Sequence, residues 1–140
     1  MTFRKITIED IPFLEEPKKK DFLDCWNSEQ YLSSFNSGRF FGLIAEEDGV
    51  KLGFITITLG VEEADIESVY VIKEFRKQGV ARELVKKAIE QLGDIKKFFL
   101  EVRESNIPAI SLYTSLGFKQ ISIRKKYYFD GENALVFIKE

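Results

Sequence analysis

Residues 68–92 read SVYVIKEFRKQGVARELVKKAIEQL, and the fold turns on how this stretch is parsed. Residues 66–72, IESVYVI, are rich in β-branched and aromatic side chains, as a strand is. From Val80 the apolar residues Val80, Ala81, Leu84, Val85, Ala88, Ile89 and Leu92 recur at steps of three, four and one. That is the 3.6-residue period of a helix with one buried stripe, and Gly93 ends it. Between strand and helix lies FRKQGVAR, with one glycine and the basic residues Arg76, Lys77 and Arg82. A helix start points unpaired N–H groups and a partial positive charge outward, so this loop suits an anion. The N–H groups of Gln78, Gly79, Val80 and Ala81 would face it, and Gly79, lacking a Cβ, permits close approach. The spacing is neither G-x-G-x-x-G nor the phosphate loop with Gly-Lys-Ser/Thr, so dinucleotides and nucleoside triphosphates lose support. A βα loop also uses glycine for its own turn, and basic loop residues are commonly just solvated. The loop alone leaves both readings open.

Residues 97–103 read as the next strand, with Phe98, Leu100 and Val102 on one side and Phe99, Glu101 and Arg103 on the other. Strand, helix and strand make a βαβ unit, so these two strands are expected to be parallel. Asn106 caps a short helix whose stripe is Ala109, Leu112, Tyr113 and Leu116, and Gly117 stops it. Residues 118–123 and 134–138 read as closing strands. Upstream, residues 40–46 and 51–59 flank Asp48-Gly49, a strong hairpin signal. Residues 2–8 alternate as a first strand. Glu9-Asp10 then offers a helix cap, with Ile11-Pro12 in the first turn. The apolar residues Phe22, Leu23, Trp26, Tyr31, Leu32 and Phe35 suggest one or two short helices broken near Asn27-Ser28. The order β-α-α-β-β-β-α-β-α-β-β shows no repeat or linker, so residues 1–140 are assigned to one α/β domain.

Composition narrows the chemistry. Of 140 residues, 44% are hydrophobic and 14% aromatic, enough for a bulky core. Against 21 Lys and Arg stand 23 Asp and Glu, a net charge of −2 that argues against general nucleic-acid binding. A single cysteine, Cys25, rules out an internal disulfide. The absence of His excludes Ser-His and Cys-His nucleophiles and the common zinc sites, so no metal is expected. No apolar run reaches the roughly 18 residues of a membrane span, and the N-terminus lacks the apolar core of a signal peptide. These features read as a cytoplasmic protein.

Arg76-Lys77-Gln78-Gly79-Val80-Ala81 matches R/Q-x-x-G-x-G/A, and with it the chain resembles the GNAT N-acetyltransferases. The element order follows that family over nearly the whole chain, although Ala81 stands where many members carry Gly. The resemblance implies an α+β fold with a mixed central sheet flanked by helices and splayed parallel strands at an acetyl-CoA site. It assigns the loop to the coenzyme pyrophosphate and the backbone of Val69, Tyr70 and Val71 to the pantetheine arm. Residues 100–128, LEVRESNIPAISLYTSLGFKQISIRKKYY, are similar to a narrower group, the RimI-type ribosomal-protein-alanine N-acetyltransferases. The shared residues are Leu100-Glu101-Val102-Arg103, Ser105-Asn106, Ala109, Leu112-Tyr113, Gly117-Phe118, Arg124, Tyr127 and Tyr128. Trp26 also fits the group. Glu132-Asn133-Ala134, in a shortened loop, departs from the group's frequent Glu-Asp-Ala.

Acyl transfer from a thioester to an amine needs a neutral amine and then a proton for the leaving thiolate. With no His, a carboxylate must act as base, directly or through water. The resemblance assigns that role to Glu101 and the acid role to Tyr113. Glu67, in the strand before the anion loop, competes as base. Asn106 is first a cap and second a coenzyme contact, and Trp26, Tyr31, Tyr127 and Tyr128 are candidate walls of an acceptor groove. An α-amine, with a pKa near 7.8, is roughly 14% neutral at pH 7, against about 0.04% for lysine. This favours a protein N-terminus, by resemblance that of a ribosomal protein. A small amine, a lysine side chain, or a non-catalytic acetyl-CoA-binding module remain alternatives. Oligomeric state is not legible.

Overall fold

The computed structural model describes residues 1–20 and 24–140, so the expected stripe positions Phe22 and Leu23 lie outside the described residues. Seven strands and five helices follow one another along the described chain. β1 (Thr2–Lys5) is followed by the single turns α1 (Ile11–Leu14) and α2 (Glu16–Lys19), then α3 (Ser28–Asn36). Next come β2 (Phe40–Glu47), β3 (Val50–Leu59), β4 (Glu63–Val71) and α4 (Val80–Gln91). The chain closes with β5 (Lys97–Arg103), α5 (Ile107–Ser115), β6 (Lys119–Arg124) and β7 (Ala134–Lys139). The strands form one sheet in the order β1-β2-β3-β4-β5-β7-β6. All neighbours are antiparallel except β4 and β5, which run parallel across the α4 connection as the βαβ reading requires.

Local chemistry sets the joints. Asp48 (φ 51°) and Gly49 (φ 78°) are both left-handed, the conformation that a two-residue turn between β2 and β3 demands. β1 stops at Lys5, short of the expected Ile8. The reason is Asp10, whose carboxylate accepts from the Thr7 N–H at 2.8 Å and from two Arg4 nitrogens at 2.8 and 2.9 Å. Asp10 thus ties the chain back to β1 instead of capping the helix ahead of it. Asn27 does cap α3, accepting from the Gln30 N–H at 2.9 Å while the Gln30 side chain returns a bond to Asn27 N–H. β4 starts at Glu63, earlier than the apolar pattern suggested, because Gly60 closes its turn by donating to the Glu63 carbonyl at 2.7 Å.

Each face of the sheet has its own core. On one face Leu43, Ile55, Ile57 and Leu100 pack under α4, whose Leu84, Val85 and Ala88 are fully buried. On the other, Ile44, Phe54 and Tyr70 pack with Ile6, Ile11, Leu14 and Tyr31 from the N-terminal helical region. Among the described residues no helix is long and apolar enough to cross a membrane.

Candidate functional site

Pairing between β4 and β5 runs from Glu63 opposite Lys97 to Ile66 opposite Leu100 and then ends. Beyond that point β4 follows β3 as far as Val71, while β5 follows β7 as far as Arg103. The two strands therefore part, and a cavity of about 620 Å³ opens between them. The Val71 carbonyl accepts from Arg76 Nε at 2.8 Å and so points away from β3. Strand alternation turns the main-chain groups of Val69 the same way, toward the gap.

A bulge re-aims the side chains at this parting. Thr56 of β3 lies opposite Ser68, but Ile57 lies opposite Ile66, which leaves Glu67 as the extra residue. Ile66 and Val69 both pack on the α4 face, so Glu67 and Ser68 share the opposite face. There Ser68 Oγ meets Thr56 Oγ1 at 2.5 Å. Glu101 stands on that same face of β5, between the buried Leu100 and Val102. Both candidate bases therefore look into one cleft. Burial pushes the Glu67 carboxyl up, with the charges of Asp65 and Glu101 adding to it and a Thr58 hydrogen bond opposing. Arg124 Nε lies 3.5 Å from Glu101 Oε2. Asp65, also lining the cleft, is pushed up by burial and by Glu63, against the pull of Arg39 and Arg124.

Tyr113 reaches the gap from the α4 face, where it is buried edge-on to Phe118 at 5.7 Å between ring centroids. Burial raises its phenol well above the ordinary value, so the O–H keeps its proton at neutral pH. Asn106 accepts from the Ala109 N–H at 3.3 Å as the cap of α5 and also lines the cavity. The expected anion loop lies outside the lining of this cavity, at the start of α4. Gly79 is left-handed there (φ 84°), as is Lys77 (φ 63°), and both turn the chain into the helix.

A family model described as acetyltransferase (GNAT) family matches residues 5–118. This chain belongs to the GNAT acetyltransferase family. It is 31% identical over 137 residues to a putative ribosomal protein bS18-alanine N-acetyltransferase of Bacillus subtilis, covering 95% of this chain and 91% of the relative. It is 32% identical over 120 residues to an N-alpha-acetyltransferase of Sulfurisphaera tokodaii, covering 75% and 70%. The crystal structure of the Escherichia coli ribosomal-protein-S18-alanine N-acetyltransferase superposes with a TM-score of 0.88 at 27% identity, covering 98% of this chain and 91% of that one.

Within this GNAT fold the other expected residues fall into two sets. Trp26, Tyr31, Tyr127 and Tyr128 all line the cleft with Glu101. Tyr31 is buried to 1% exposure, so it forms the cleft's back wall, and burial holds its hydroxyl up at about 12. Tyr127 and Tyr128 sit in the β6–β7 loop, where strand alternation does not divide them, and both rings face the cleft at 5.1 Å from each other. The second set does not converge as side chains. Tyr70 packs in the opposite core and Val80 in the α4 core, so only their backbones are available. Arg76 reaches back to Val71, and Arg82 Nη2 donates to Ser115 Oγ at 2.8 Å, so both have protein partners. Sequence reading missed Asp24, Asp65 and the ion-pair centre at Arg103, which depend on tertiary approach.

Proposed function

We propose that this protein transfers the acetyl group of acetyl-CoA to the N-terminal α-amine of a protein. The observation that carries this reading is the gap between β4 and β5, with two carboxylates on one face and a buried phenol on the other. Acetyl-CoA, when bound, supplies the activated thioester. The main chain of Val69 and the Val71 N–H, which lie beyond the end of the β4–β5 pairing, suit its amide-bearing arm, and the N–H groups from Gln78 to Ala81 suit its pyrophosphate. Glu101 takes the proton that the acceptor ammonium must lose, with Glu67 as the alternative base. Tyr113 gives its proton to the departing sulfur. Asp65, Glu67 and Glu101 make the cleft electronegative, which favours a cationic amine. The more readily deprotonated α-amine needs less of a weak base than lysine does. Two of the relatives are named for alanine N-acetylation of ribosomal protein bS18, so a ribosomal N-terminus beginning with Ala is the first acceptor to try.

Free-thiol release from acetyl-CoA, measured with two peptides, tests this. One begins Ala-Arg with a free N-terminus; the other is blocked there and carries an internal lysine. Turnover confined to the free N-terminus is expected. Turnover confined to the lysine peptide keeps acetyl transfer and discards the acceptor class. Silence on both, with coenzyme bound, points to a small amine or a non-catalytic binding module.

A further inference from the structure

The cleft has two lips drawn from distant parts of the chain. One is residues 24–26, with Asp24, Cys25 and Trp26; the other is the β6–β7 loop, with Tyr127 and Tyr128. Arg103 rises between them from the floor, two residues beyond Glu101 on β5. Its Nε and Nη2 donate to Asp24 at 2.7 and 2.8 Å, a two-pronged pair with the first lip. Its Nη1 donates to Asp130 at 2.8 and 3.1 Å and to Glu132 at 3.1 Å, on the second. Its guanidinium also lies over the Tyr128 ring, 4.2 Å from the centroid. The far ends are anchored in turn. Glu132 Oε1 accepts from the Ser105 N–H at 2.9 Å, and Asp130 Oδ1 accepts from the Glu132 N–H at 3.1 Å.

We infer that Arg103 is a positioning residue that clamps the two lips together and so sets the width of the acceptor groove before substrate arrives. Three features support this over a role in bulk stability. The partners lie 79, 27 and 29 residues away, so the contacts fix tertiary geometry and not a local turn. The planar guanidinium holds Asp24 through the Nε–Nη2 fork and turns Nη1 toward the second lip, a fixed division that a point charge would not impose. The floor beneath is rigid, since β5 is paired to β7 from Phe98 to Arg103. Exposed ion pairs add little to folding, but lips held in place spare the acceptor the cost of ordering them. The clamp therefore acts on acceptor binding more than on the chemical step. The acceptor half of this inference rests on the function proposed above; the lip geometry does not.

The chain carries its own reporters on the first lip, its only cysteine, Cys25, and its only tryptophan, Trp26. Arg103→Gln, Arg103→Lys and Asp130→Asn should be compared with the wild type below their melting temperatures. In Arg103→Gln the rate of Cys25 labelling by a disulfide reagent should rise about fivefold or more as the lip opens. The acceptor-peptide KM should rise about tenfold, with kcat within about threefold and the acetyl-CoA KM unchanged. Arg103→Lys should fall between, because it keeps charge and loses the fork. Asp130→Asn should shift both readouts in the same direction, and it serves if Arg103→Gln does not fold. Unchanged labelling overturns the clamp, as does full rescue by lysine or a loss confined to kcat. If the wild type ignores the peptide but labelling still accelerates, the acceptor assignment fails and the clamp stands.

Discussion

The two faces of the sheet use the same strands for different ends. Under α4, Leu84, Val85 and Ala88 are sealed against β-strand aliphatics, and the face is ordinary close-packed core. On the opposite face, past the point where β4 and β5 separate, the side chains are Glu67, Ser68, Glu101 and Arg103. A single inserted residue at Glu67 produces much of this difference by placing two consecutive polar side chains on one side. Tyr113 stands at the junction, buried with the first face and lining the opening to the second. The close packing under α4 and the carboxylates of the cleft thus lie on different faces, with Tyr113 between them, and substitutions under α4 and in the cleft should be separable too.

The largest effect on folding belongs to the packed face. Leu84→Ala removes a fully buried side chain and should cost about 2–5 kcal/mol, read as a lowered denaturant midpoint. If that substitution also changed the acceptor KM of the folded enzyme, the two faces would not be independent. A smaller effect is expected at the Arg4–Asp10 pair, on the cleft side but away from the cleft. The Arg4 hydrogen bond holds the nearly buried Asp10 carboxyl down at about 2, against the opposing effect of burial. Because the folded pKa is depressed from 3.8, this stabilisation is complete above about pH 4 and fades as pH falls toward 2. Asp10→Asn should cost about 1–2 kcal/mol at neutral pH and flatten the acid limb of the stability curve. Parallel acid limbs in the two proteins would contradict the pairing.

The packed face is also the one that sequence describes well. The helical period from Val80 and the Asp48-Gly49 turn each follow from local chemistry, and each is found, although α4 ends at Gln91 with Leu92 as its cap and Gly93 is not left-handed. The alternation of β5 likewise places Glu101 opposite Phe98, Leu100 and Val102. The cleft face is less legible because its decisive features are relations between distant segments. The run Ile66-Glu67-Ser68-Val69 breaks strict alternation with two consecutive polar residues, but which residue is the extra one is set only by the register with Thr56 and Ile57. The Arg103 centre joins segments up to 79 residues apart, and no spacing rule reaches that far. Tyr127 and Tyr128 resemble a strand pair in sequence, yet the left-handed Lys126 (φ 51°) has already turned the chain out of β6.

In the proposed reaction, acetyl transfer takes place where β4 and β5 part, with Glu101 as base. The most direct measurement is single-turnover acetyl transfer to the free N-terminal peptide by the wild type, Glu101→Gln and Glu67→Gln, alongside coenzyme A affinity. Glu101→Gln is expected to slow transfer about 10²-fold or more while affinity holds, with Glu67→Gln much milder. Equal rates in the wild type and Glu101→Gln, or the large loss falling on Glu67→Gln instead, would contradict the assignment.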